Sequence, residues 1–447
     1  MYKVDQVSWK ERISYGLADT ASNLIFVMVS TYLLYFYTDV VGVGAGIVGT
    51  LFLIVRFLDA GTDLIAGYTI DRTNTKWGKF RPYFLWLAVP FAVMGVVTFL
   101  APDLSGSGKI VYAYATYIIL GLIYTFINIP LSAMLPSMTN NPLERHEVTS
   151  IRMIFGQAGG FIVSVATLPL VALLGGGDES KGFALTMALF GVIAIPMFIN
   201  AFKNTREREY YKAQKDVPFK EGIKAFNIPW LIIFITKMAF FFVFIIRNQS
   251  TIYFVKYNFG NESIIPIVMG LNYLTVVSLL LIPWFTKRLG GKKTMQTGII
   301  FSIVGSLVIF LSIFATSVPL LLIGVGIGGL GLGLVPSLLF SMIADTIDYG
   351  EWKSGVRANG LLYSGSTFAA KFGMGIGGAA GAWMLALGNY DPSLAQQSAS
   401  ALNAIEFAFI WFPVISFSLV LILLQFYKLD KIHPQIVREI EERNKNN

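Results

Sequence analysis

The sequence predicts an all-α membrane protein of twelve transmembrane helices in two six-helix halves. Three observations predict it: a scarcity of charge, a recurrence of long apolar segments, and an uneven distribution of basic residues. Of 447 residues, 55% are hydrophobic and only 13% are charged. A soluble domain carries roughly 25% charged residues, so an aqueous fold has too little polar surface to cover this chain. A bilayer accommodates the excess apolar surface.

Apolar segments of about 20 residues, each long enough to cross a hydrocarbon core of roughly 30 Å, recur along the chain. They fall at 12–38, 44–70, 82–101, 110–138, 151–175, 182–202, 229–257, 262–286, 294–315, 318–346, 357–388 and 402–427. Backbone polar groups in lipid must pair within their own segment, which predicts helices rather than open strands. The longest polar interruption, 203–228, divides the chain into an N-terminal half (1–202) and a C-terminal half (229–427), with a tail at 428–447. A weak repeat supports the division: GYTIDRTNTKWGKFRP after span two and TKRLGGKKTM after span eight are both short, basic and glycine-containing. Paired six-helix halves with a solute site near the midplane are the architecture of the major facilitator fold.

Basic residues set the orientation. Lys and Arg concentrate at the two termini and in the even-numbered loops, while Lys109, Lys181 and Lys256 lie toward the opposite side. The positive-inside rule then places both termini in the cytoplasm. The net charge of +8 follows from this asymmetry and fits a face for anionic lipid, with no need of a nucleic-acid partner. The N-terminal MYKVDQVSWKERISYG is charged and has no short apolar core before a cleavage site, so it reads as a leader into a retained span.

Composition also excludes chemistry. The chain has no cysteine and two histidines, which rules out disulfides and thiolate sites and disfavours a histidine metal centre. GVGIGGLGLG contains a literal GxGxxG at Gly326, Gly328 and Gly331, but a dinucleotide site needs a preceding strand; inside an apolar span these glycines allow close helix approach. Tyr210 and Tyr211, among charges in the central loop, read as solvated surface. No organic cofactor is expected, only a coupling ion.

Ionisable side chains inside spans cost roughly 2.5–3.5 kcal/mol each on insertion scales, so each needs a reason. Span two carries Arg56, Asp59 and Asp63 on one face, with Thr62 beside them. Two carboxylates about 6 Å apart along a helix axis can supply oxygens to Na⁺. Like-charge repulsion can equally raise one pKa so that it carries H⁺. An ion pair of Arg56 with one Asp is the structural alternative, and it leaves the second carboxylate unexplained. Lys371 lies deep in span eleven, one turn beyond Thr367, with no acid nearby in its own helix. It is the candidate counter-charge for the Asp pair.

Span one adds Asp19 and Asn23, span four Tyr124, Thr125 and Asn128, and Arg152 opens span five. Carboxylate, amides, guanidinium and an aromatic face are the groups that hold a sugar's hydroxyls, provided the N-terminal helices converge. Singly, an Asn or Thr in a span is more often interhelical glue. Arg247, in the outer half of span seven, faces either the cavity or the outer headgroups. Asp71, Arg72, Lys79 and Arg81 after span two, with Asp345, Asp348, Glu351 and Arg357 after span ten, are expected to form a cytoplasmic gate of ion pairs between the halves.

Three stretches resemble the glycoside-pentoside-hexuronide:cation symporters, a major facilitator branch that includes the melibiose carriers. They are YLLYFYTDVVG with RFLDAGTDLIAGYTIDRTNTKWGKFRPY, then YTFINIPLSAMLPSMTNNPLERHEVTSIR, and MIADTIDYGEWKSGVRANG. The resemblance implies cation binding and coupling at Asp59, Asp63, Thr125 and Lys371, with Thr62 where melibiose carriers have Asn. The sugar-holding acids of melibiose carriers fall on Asn23 and Asn128, their adjacent Lys on Ser22, and an aromatic of span four on Ser132. GLADTASNL, with Asp19 one turn earlier, instead resembles the pentoside and hexuronide members. The resemblance therefore implies symport of a xyloside, another pentoside or a glucuronide with Na⁺ or H⁺, by alternating access. Some relatives carry a phosphotransfer-regulated domain after span twelve; about twenty residues follow that span here, so no such domain is expected. An exporter of apolar compounds fits the polar set poorly, and no nucleophile–base pair marks a membrane enzyme or sensor.

Overall fold

The computed structural model describes residues 6–139, 141–208 and 219–446; Tyr210 and Tyr211 lie outside them. Regular structure among the described residues is helical, apart from an isolated bridge between Thr75 and Gly78. The transmembrane helices are α1 (Trp9–Val40), α2 (Ala45–Arg72), α3 (Arg81–Thr98), α4 (Gly106–Met138), α5 (Pro142–Gly175), α6 (Glu179–Asn204), α7 (Ile228–Asn258), α8 (Glu262–Leu289), α9 (Gly291–Ala315), α10 (Val318–Ser354), α11 (Asn359–Leu387) and α12 (Ala399–Gln425). A thirteenth helix, α13 (Leu429–Asn446), follows.

All of the twelve except α11 are both long and apolar enough to span a membrane. Helix α11 has the length, 29 residues, but glycine and alanine dilute its apolarity. The small residues have a packing reason. A Cβ at Gly373 would stand 2.3 Å from the Met238 carbonyl oxygen, and one at Gly377 would stand 2.7 Å from that of Phe242. Helix α11 therefore lies backbone against backbone on α7.

Several helices outrun their apolar cores. Helix α10 continues to Ser354, so Asp345, Asp348 and Glu351 are helical rather than in a loop, and it stops where Gly355 takes φ 73°. A left-handed residue just past the last turn is a common helix stop. Helix α5 begins at Pro142, which puts Arg152 almost three turns inside it rather than at its start. Polar turns extend these helices because hydropathy reports the hydrocarbon core, whereas helices continue into the headgroup layer.

The chain divides into two compact units, Met1–Lys212 with Asp391–Ala395, and Ala213–Tyr390 with Gln396–Asn447. In the first, α1 packs on α5 and α6, α3 on α4 and α6, and α2 on α4. In the second, α7 packs on α11, α9 on α10, and α12 on α7 and α9, around a core that includes Ile233, Phe240, Met342, Leu362 and Phe417. Large side chains such as Leu173, Val192, Phe314 and Leu419 face outward, as lipid contact requires.

Candidate functional site

The first unit gathers most of the predicted residues. Asp59 and Asp63 stand one turn apart on α2. Arg56 Nη1 donates to Asp59 Oδ2 at 3.0 Å, so the structural pair weighed from the sequence exists. The second carboxylate looks elsewhere: Thr125 Oγ1 on α4 lies 3.5 Å from Asp63 Oδ1. Thr62 donates its hydroxyl proton to the Asp59 backbone carbonyl at 3.1 Å, leaving only its lone pairs for a cation.

Arg56 and Asp59 line a pocket walled also by Phe26, Phe91, Tyr117, Gly121 and Tyr124. Gly121 lies beside the acid, where a Cβ would meet Asp59 Oδ1 at an ordinary contact distance of 3.4 Å. The Tyr124 ring stacks on Phe26 with centroids 4.9 Å apart and planes 15° from parallel. Its hydroxyl accepts a hydrogen bond from Asn128 Nδ2 at 3.0 Å.

A second polar group joins α1 to α5. Arg152 Nε is 3.3 Å from Asp19 Oδ1, and Arg152 also donates to the Tyr15 hydroxyl at 3.3 Å and to Ser132 Oγ at 3.4 Å. Asn23 Nδ2 donates to the Asp19 backbone carbonyl at 2.8 Å. Gly156, one turn after Arg152, admits Asp19 between the helices: a Cβ there would stand 2.3 Å from Asp19 Oδ2. The N-terminal helices thus converge as a sugar site requires. Sequence reasoning missed Tyr15, Phe26, Phe91 and Tyr117, whose aromatic rings read as lipid-facing or packing residues. A signal was present on α4, where Tyr117, Gly121, Tyr124 and Asn128 share one helical stripe.

In the second unit, Thr367 and Lys371 are exposed on one face of α11, and the Thr367 hydroxyl donates to the Tyr363 carbonyl at 3.1 Å. Arg247 is 2% exposed and packed inside its own unit, with Nη1 on Ser306 Oγ at 3.3 Å. The sequence reading also missed Lys237, which is 1% exposed, donates to Ser366 Oγ at 2.7 Å and lies 3.9 Å from the Phe340 ring centroid. A single lysine in a long apolar run gave no pattern to notice.

The expected gate residues have partners within their own units. Lys79 Nζ pairs with Asp71 Oδ1 at 2.6 Å, Arg72 lies over the Tyr68 ring, and Arg81 donates to the Phe202 carbonyl. Glu207 takes the backbone N–H groups of Lys79, Phe80 and Arg81 at 2.7–2.8 Å. At the end of α10, Arg357 bridges Asp348 (3.1 Å) and Glu351, while His433 of α13 lies 3.7 Å from Asp345 and 3.2 Å from Asp348. Burial disfavours the Arg357 charge, but its two carboxylate partners outweigh this and raise its pKa.

Residues 14–431 match the family of MFS/sugar transport proteins. The chain belongs to this family. It is therefore a membrane transporter and not an enzyme. The sugar transporter is 44% identical to an isoprimeverose transporter of Lactiplantibacillus pentosus, over 98% of this chain and 93% of that protein. It is 37% identical to the putative glycoside/cation symporter YagG of Escherichia coli (strain K12), over 95% of this chain and 93% of that protein. Among solved structures, a proton-dependent oligopeptide transporter superposes with a TM-score of 0.68 at 14% identity, covering 95% of this chain and 99% of that one. That likeness shows the major facilitator fold alone. The resemblance of the sugar transporter to glycoside-pentoside-hexuronide:cation symporters extends along its whole length.

Proposed function

We propose that this sugar transporter imports a pentose-containing glycoside, such as a xyloside, together with a cation, by alternating access. The observation that carries the proposal is the neighbourhood of two unlike groups in one unit. The Asp19–Arg152–Asn23 cluster offers donors and acceptors for sugar hydroxyls. The pocket beside it offers the stacked face of Tyr124 and a carboxylate, Asp59. The isoprimeverose transporter among its relatives favours a pentoside over a glucuronide.

The coupling ion binds at Asp59 and Asp63, with Thr62 and Thr125 as supplementary oxygens, and no other cofactor takes part. A bound Na⁺ or H⁺ offsets the carboxylate charge, and Lys371 offsets it when the cation leaves. Both termini are cytoplasmic, and the charged ends of α2, α3, α10 and α11 form the cytoplasmic gate. Gradient-driven uptake of radiolabelled glycosides into membrane vesicles tests the function. Accumulation of a xyloside under an imposed Na⁺ or H⁺ gradient, lost in Asp63→Asn, is the expected result. Equilibration without accumulation under both gradients would overturn cation coupling, and uptake of glucuronides alone would overturn the substrate. A Arg357→Gln variant with unchanged kinetics would remove that residue from the gate.

A further inference from the structure

Arg247 is a charged side chain of the second unit that the transport reading leaves without a role and the packing leaves half satisfied. Its guanidinium is buried among α7, α9, α10 and α12. Nη1 donates to Ser306 Oγ at 3.3 Å, and the Ser306 hydroxyl spends its own proton on the Ser302 carbonyl at 2.9 Å. The Phe409 ring centroid lies 5.4 Å from Cζ. Nε and Nη2 find no acceptor among the described residues. These two atoms share one edge of the guanidinium plane, the edge whose parallel N–H bonds grip an anion. Gly328 of α10 packs against the two terminal nitrogens: a Cβ there would stand 3.0 Å from Nη2 and 3.4 Å from Nη1. The absence of a side chain at 328 admits the guanidinium and leaves its Nε–Nη2 edge to be satisfied from elsewhere.

A buried guanidinium is ordinarily paired with a carboxylate. Arg247 instead meets a neutral hydroxyl and an aromatic ring. We propose that the Nε–Nη2 edge of Arg247 binds a small monovalent anion of about the size of chloride. An organic acid is too large for a side chain that is 2% exposed. A water molecule satisfies the two N–H bonds but leaves the charge uncompensated in an apolar span. Chloride does both. The anion is structural: it belongs to the interior of the second unit, separate from the sugar pocket and from the cation at Asp59 and Asp63.

The test uses the full-length protein in detergent at constant Na⁺ and constant ionic strength, with chloride replaced stepwise by gluconate. Wild-type protein is expected to show a saturable rise of the unfolding midpoint with chloride, about 2 °C or more, which Arg247→Gln abolishes. Identical midpoints in chloride and gluconate overturn the proposal, as does a shift that survives in Arg247→Gln. Should that variant fail to fold, bromide-substituted wild-type crystals decide the matter. An anomalous peak at the Nε–Nη2 edge supports the site, and water density without anomalous signal there refutes it.

Discussion

Gly156 on α5 and Asp19 on α1 occupy one space: a Cβ at position 156 would stand 2.3 Å from Asp19 Oδ2. Replacing the glycine by alanine must displace the carboxylate from Arg152, its partner at 3.3 Å. Overpacking of this kind costs about 1–3 kcal/mol, partly offset by up to about 1 kcal/mol of helix propensity. Gly156→Ala is therefore expected to fold with a modestly lower melting point, while its KM for glycoside rises about tenfold. Uptake kinetics beside thermal unfolding check this, and an unchanged KM would remove Asp19 from the sugar site.

Asp59 has two jobs that a pair of substitutions can separate. Asp59→Asn leaves the Arg56 charge without its carboxylate in the span and lowers stability by about 1–3 kcal/mol, below the range for fully buried pairs because both side chains are partly exposed. Adding Arg56→Gln to the same protein removes the orphaned charge. The double variant is expected to regain stability without regaining gradient-driven accumulation. A double-mutant cycle on the unfolding midpoint, read beside vesicle uptake, tests both halves of the statement; recovered accumulation would make Asp59 purely structural.

Glu207 closes the start of α3 by accepting three successive backbone N–H groups. A carboxylate there also complements the positive end of the helix dipole. Glu207→Ala is expected to cost about 1–2 kcal/mol, as loss of a helix cap does. Hydrogen exchange at residues 79–81 should accelerate at least tenfold while the centre of α3 stays protected. Uniform acceleration along α3 would show that Glu207 stabilises the helix as a whole and not its first turn.

Glu144, before the membrane-spanning part of α5, supplies a pH prediction. Burial opposes its ionisation, but the Thr139 hydroxyl, the Val7 amide and the Arg12 guanidinium prevail and hold its pKa below the ordinary value. A carboxyl depressed in the folded state stabilises above its unfolded pKa and loses that contribution as pH falls through its folded one. The melting point of wild type should exceed that of Glu144→Gln at pH 7. The gap should begin to close as pH drops below about 4.3. A gap that stays constant down to pH 3 would mean that Glu144 acts by shape rather than by charge.

The fold was legible from the sequence because lipid leaves few solutions, so that apolar length gives the spans. Helix ends were less legible, as α10 shows by carrying two of the expected gate acids, Asp348 and Glu351, on two further turns. Candidate residues stood out where a charge fell where lipid penalises it, as for Asp59, Asp63 and Asp19, although Lys237 escaped notice. Their partners were hidden when they came from distant segments. Nothing in the sequence ties Glu207 to the backbone of residues 79–81. Aromatic residues were hidden for another reason, since a Tyr at the pocket and a Tyr at the lipid have the same local pattern.

The glycines of α11 have a mechanical consequence. With Gly373 and Gly377 set against the carbonyls of Met238 and Phe242, and Lys237 hydrogen-bonded to Ser366, α7 and α11 interlock too closely to shear. The two helices must travel as one stiff rail. Lys371, which rides on α11, cannot shift its depth or rotate unless α7 moves with it, so any stroke of that ammonium is a stroke of the pair. A bulkier residue at 373 or 377 would prise the rail apart and leave the lysine's charge decoupled from the body that carries it.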